Sequence, residues 1–207
     1  MSLVLEGFLT TVALASLCFG AALVLGLVVA VLRIAPVPVL RAAGATYVEV
    51  WRNVPLLAWL VLFVFGLPEI GLTFPLFWSA FLAISLYEAA YVCEALRSGV
   101  NSVALGQGEA ARALGLTFRQ SLRHVIVPQA ARRVVQPLAN IAIALTMATA
   151  LAGAVGVVEL TRAANRVNLE IARPLLVFTG AGLCYLALAG GIALAARSVE
   201  RRWPAHV

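Results

Sequence analysis

The sequence predicts an all-α, polytopic membrane protein with about five transmembrane helices in a single domain, residues 1–207. A structured polar loop between two of the spans faces water. Three observations carry this. Hydrophobic residues make up 63% of the chain and charged residues 12%, whereas soluble domains run near about a quarter charged. The apolar residues come in continuous runs long enough for spans of about 20 residues, not in the alternation of a barrel wall. Every basic residue is Arg and every acidic residue is Glu, and the arginines gather at the ends of the runs.

The elements follow in order. Met1 to Gly7 is a short polar lead, and Phe8 to Leu32 is the first span, with Gly20 and Gly26 as small residues for close helix packing. The start of the chain has no basic region and too long an apolar run for a cleavable signal peptide. Arg33 and Arg41 bracket the turn at Pro36-Val37-Pro38. The second span runs from near Tyr47 to near Leu67, opening with Glu49 and Arg52 at a spacing that allows an ion pair. Pro55 should start or kink its apolar part. The third span, about Phe74 to Leu96, holds Glu88 and Glu94 and closes on Arg97. Val134 to Val158 is the fourth, with an Ala-Gly stretch from Leu151 to Gly156 that should pack tightly or unwind. Glu159 to Arg173 reads as a charged amphipathic connector, and Pro174 to Ala196 as the last span.

Between the third and fourth spans lies the polar loop, about 98–133. Glu109 to Leu114 favours helix, and Gly115 supplies a left-handed residue to end it. Thr117 and Gln120 form a capping box that restarts the chain. Phe118, Leu122 and Val125 make one apolar stripe at helical spacing. Pro128 disfavours helical geometry at Val127 and marks a boundary. An arginine-bearing elbow of this kind either lies on lipid or docks on a protein.

Arginine asymmetry sets the orientation. One side receives Arg33, Arg41, Arg52, Arg97, the elbow arginines and the C-terminal three. The other receives Arg162, Arg166 and Arg173, offset by Glu159 and Glu170. The expectation is N-terminus outside, elbow and C-terminus cytoplasmic.

Ionisable residues inside spans are costly and usually functional. Glu88 either faces a partner helix in its protonated form or lines a polar path. Glu94 and Arg97, one turn apart, read as an ion pair anchoring a helix end. Arg52 either pairs with Glu49 or lines the path. Cys18, Cys93 and Cys184 sit in apolar runs as small hydrophobes. His124 and His206 have no carboxylate cluster nearby, so no metal site and no catalytic site is expected. No phosphate-binding G-x-x-x-x-G-K-[ST] occurs, and no basic domain with interleaved aromatics suggests nucleic acid.

Glu109-Ala110-Ala111, three residues, Gly115, nine residues, Val125, one residue, then Val127-Pro128 resembles the EAA loop of type I ABC import permeases, with valines where the pattern has Ile and Leu. The resemblance spans about Thr10 to Arg202. Arg52, Pro55, Leu56 and Leu57 match the second-span signature of the polar amino acid subfamily. The tracts AYVCEALRSGVNSVALGQGEAARALGL, PQAARRVVQPLANIAIAL and GAVGVVELTRAANR match its third span, fourth span and external connector. LRSGVN leans toward the glutamate branch.

The resemblance implies a permease subunit of an ATP-driven amino acid importer in a bacterial inner membrane. Glu109, Ala110, Ala111, Gly115 and Pro128 would couple it to cytoplasmic ATP-binding subunits. A second permease copy or paralogue would complete the channel, and an extracytoplasmic solute-binding protein would deliver the substrate to Pro68–Thr73 and Glu159–Arg173. No cofactor is expected on this chain, since ATP is used by the partner. Glu88, Arg52 and Thr149 are the substrate-path candidates. The family commonly has Lys and an acidic or amide residue before that Thr, where Met147-Ala148 stand here, which leaves room for another polar solute. A membrane assembly protein is the alternative of a different class.

Overall fold

The computed structural model describes residues 2–202, and the side chains up to Arg201. His206 lies outside them. Among the described residues eight helices form: α1 (Ser2–Ile34), α2 (Pro38–Asn53), α3 (Leu56–Glu69), α4 (Leu76–Asn101), α5 (Leu105–Ala113), α6 (Phe118–Ala154), α7 (Leu160–Ile171) and α8 (Pro174–Arg202). Four of them, α1, α4, α6 and α8, are each long and apolar enough to cross a bilayer. With α2 and α3 counted as one broken span there are five.

The second span is where sequence and structure part. The expected single span from Tyr47 to Leu67 is instead two helices bent by 96° at Val54-Pro55. Pro55 lacks an amide hydrogen and forces Val54 into extended geometry, φ −106° and ψ 132°. The first half also begins earlier than expected, because Pro38 is preset for the first helical position.

Pro128 is the second departure, since α6 runs through it. Leu122–Ile126 forms a π turn, in which the Val127 amide reaches back five residues to the Leu122 carbonyl. That wider turn leaves Val127 helical at φ −61° and ψ −43°. The proline therefore sits at the start of a renewed helical ladder, where its missing donor costs little. Leu62–Gly66 ahead of Pro68 repeats the device in α3. As a result α6 is 37 residues long, roughly 55 Å at helical rise, against a hydrocarbon core of about 30 Å. That length exceeds what one crossing needs, so its first turns are free to belong to the elbow.

The core lies between α1, α3, α4 and α6, where Leu14, Cys18, Leu60, Ile84 and Leu145 are fully buried. Gly26 allows the α1–α4 approach, since a Cβ there would lie 2.8 Å from the Ala89 carbonyl oxygen. Gly20, expected to do the same, has nothing within 4 Å. The Ala-Gly stretch does both things expected of it. Gly153 packs against the Glu159 carboxylate, and the chain unwinds at Gly156, φ 117°. Helix α8 sits at the edge with Leu175, Leu183, Leu186 and Leu194 exposed, as suits a lipid-facing span.

A carboxylate cavity and a projecting elbow

Helix α4 brings Glu88 to the middle of the bundle, where it is 5% exposed. It makes no hydrogen bond or ion pair among the described residues. Its side chain instead faces a cavity of about 450 Å³ that also reaches Leu56, Tyr87, Tyr91, Asn140 and Ala148. The two phenol oxygens lie 3.0 Å apart, one turn of α4 setting their spacing. A buried carboxylate costs several kcal/mol unless it is neutral, paired or wetted, and Glu88, unpaired within the chain, faces an open and mostly apolar cavity in which the two tyrosines and Asn140 are the other polar groups.

Arg52 reaches this place from the end of α2. Its guanidinium lies over the Tyr91 ring, 5.1 Å from the centroid, a cation–π contact of about 1 kcal/mol. The pair with Glu49, one of the two roles its spacing allowed, does not form among the described residues. Glu49 instead accepts from the Asn53 side chain at 2.9 Å, one residue beyond Arg52 on the same helix end. Nor does Arg52 form an ion pair with Glu88 among the described residues. Thr149 is not brought to the cavity. It is fully buried and its hydroxyl donates to the Thr146 carbonyl at 2.7 Å, which spends its polarity inside α6.

The elbow takes the local shape its residues dictate. Gly115 adopts φ 80° and closes α5 as its amide donates to the Arg112 carbonyl while Leu116 donates to Ala111, the paired bonds of a Schellman end. The Thr117–Gln120 capping box opens α6. Glu109 and Ala110 are exposed and Ala111 is buried. Leu105, Leu114 and Phe118 are each more than 80% exposed, so these three apolar residues of the elbow are left largely uncovered by the chain. Pro128 follows the π turn at Leu122–Ile126 and stands in the first turn of the helical stretch that begins at Val127.

Two polar clusters hold the ends of the bundle. At the end near the elbow, Glu94 takes Arg97 at 2.9 Å, as its spacing predicts, and also Arg33 of α1. Sequence alone does not show the second partner, which lies 61 positions away. At the other end Glu159 is fully buried. Its carboxylate caps α7, accepting from the amides of Thr161 and Arg162 at 2.8 and 2.7 Å, and from the Tyr185 hydroxyl at 2.8 Å. In the sequence Glu159 reads only as a counter-charge for nearby arginines. Its position immediately before a helical run was the available sign of a cap.

A bundle with a broken second span, a buried carboxylate facing a cavity at its middle and a helical elbow at one end has the architecture of a membrane permease subunit. The family of binding-protein-dependent transport system inner membrane components matches residues 22–203, and the chain belongs to it. Among curated relatives, the probable glutamine ABC transporter permease proteins GlnM and GlnP of Bacillus subtilis are 35% and 38% identical. Those alignments cover 97% and 95% of this chain and 93% and 92% of the relatives. A crystal structure of an amino acid ABC transporter with histidines superposes with a TM-score of 0.91 at 29% identity, covering 97% of this chain and 94% of that one. An inward-facing structure of the MetNI methionine ABC transporter shares the fold, with a TM-score of 0.82 at 23% identity.

Proposed function

We propose that this chain is the permease subunit of an importer for α-amino acids, and that the cavity at Glu88 is the solute's resting place within the membrane. The observation that carries the proposal is Glu88 itself, a buried, unpaired carboxylate facing an open cavity, which suits a cationic ammonium group. Arg52, held at the cavity's edge by Tyr91, offers a charge of the opposite sign. Relatives whose names include glutamine and glutamate support the same class of solute.

In this reading the chain hydrolyses nothing. Two cytoplasmic ATP-binding subunits grip the exposed apolar residues of the elbow, and ATP-driven closure of those subunits tilts the long α6. A second permease subunit, identical or paralogous, completes the channel, and a solute-binding protein docks at the end marked by Pro68–Thr73 and α7. The N-terminus lies outside, the elbow in the cytoplasm.

The test is uptake by vesicles holding the complex with its ATP-binding subunits and binding protein, supplied with a mixture of radiolabelled amino acids. ATP-dependent accumulation of at least one of them is expected, and accumulation of none overturns the reading. In the same vesicles, on a background without native cysteines, Ser2→Cys should react with an impermeant thiol reagent from the face opposite the one that labels Leu114→Cys. Labelling of both from one face would refute the topology.

A further inference from the structure

We propose that the break in the second span is a carboxylate subsite: the free amides that open α3 take the solute's carboxylate, while Glu88 takes its ammonium. This rests on the amino acid reading above and goes beyond it by assigning the second pole of the site.

Helix α3 starts abruptly. Pro55 has no donor, and the first amide with a backbone acceptor is that of Ala58, which donates to the Pro55 carbonyl at 2.9 Å. Among the described residues the Leu56 and Leu57 amides have no acceptor. No side chain caps this end. The helix then continues through Glu69, so a macrodipole of usable length points its positive end at the break. Open helix starts bind anions through such amides, and discontinuous helices at mid-membrane serve anionic groups of solutes elsewhere in transport proteins.

What raises this above a bare helix end is Glu88. Leu56, the first residue of α3, and Glu88 line the same cavity. The carboxylate is more than nine-tenths buried and unpartnered. An unpartnered buried carboxylate and the uncapped start of a helix, positive by its dipole, border one cavity and are two unmet needs of opposite sign. A solute carrying both an ammonium and a carboxylate meets both at once, and one carrying a single charge meets only one. Tyr87, Tyr91 and Asn140 supply the remaining polar lining for a side chain.

Proline at Leu56 isolates the amide. Leu56 is the first helical position, where proline is tolerated. Pro55 already has φ −57° and ψ 139°, the extended geometry that a residue before proline adopts. Leu56→Pro therefore deletes an N–H with little backbone change, and Leu56→Ala deletes most of the same side chain while keeping the N–H. The measurement is equilibrium dialysis of the purified permease–ATP-binding complex, without binding protein, against the radiolabelled amino acid that gives the highest uptake. Leu56→Pro should bind on the order of tenfold to a hundredfold more weakly than Leu56→Ala, the range for one hydrogen bond to a charged group.

Equal binding by the two variants overturns the subsite. Should Leu56→Pro fail to assemble, the unaltered complex decides. The α-carboxamide of the same amino acid should bind at least tenfold more weakly than the acid, and equal affinity overturns the proposal. Vesicles that accumulate no amino acid overturn the functional reading itself, which is a separate outcome.

Discussion

Two buried glutamates in this chain have opposite surroundings. Glu159 is fully enclosed and every neighbour serves it: two amides at the start of α7, the Tyr185 hydroxyl, and a glycine at 153 that leaves it room. Glu88 is nearly as buried and has no such partner. A satisfied buried carboxylate fixes one structure, whereas an unsatisfied one beside a cavity waits for something to arrive. The difference separates a residue that holds one end of the bundle together from the residue proposed above to meet solute, though both are glutamates under cover.

Substitutions sharpen that contrast. The largest effect on stability is expected from Glu159→Ala. It orphans two amides and a hydroxyl and leaves a void, a loss of roughly 2 to 5 kcal/mol. Thermal unfolding of the purified protein should show a clearly lowered midpoint, and a midpoint equal to that of the unaltered protein would erase the distinction between the two glutamates. A smaller and more local effect is expected at the elbow. Gly115→Val places a β-branched residue at φ 80°, costing about 1–2 kcal/mol. It should lower uptake by uncoupling ATP hydrolysis from transport, with little change in overall melting. Uptake at the full rate by the assembled variant would remove Gly115 from the coupling surface.

Much of the fold was legible. Apolar runs gave the α-helical membrane class and four of the spans. Local chemistry gave the Gly115 end, the Thr117 cap and the Glu94–Arg97 pair. What the sequence hid depends on long-range placement or on a choice between local geometries. Pro55 signalled a kink, but a 96° break follows from how α3 packs Leu56 and Leu60 into the core. Pro128 looked like a boundary because an α-helix resists it, and the π turn that admits it has no clear mark in the residue pattern. Arg33 joins Glu94 across 61 positions.

Within the site, Glu88 was legible because a carboxylate inside an apolar run has few innocent explanations. Tyr87, Tyr91 and Asn140 were not, since tyrosines and an asparagine within helices fit many roles. Arg52 stands out in the sequence as a charge near a span, but its contact is the Tyr91 ring and not Glu49. Thr149 was drawn in by resemblance alone and turned inward to its own helix.

The central claim is that Glu88 is kept for solute and not for structure. Glu88→Gln preserves shape and burial and removes the charge. In vesicles containing the assembled complex, the account predicts uptake reduced by at least about tenfold, on the scale of one lost charge-assisted contact, while the purified variant melts no lower than the unaltered protein. Uptake at the full rate, or loss that comes only with a lowered melting point and failed assembly, would contradict it.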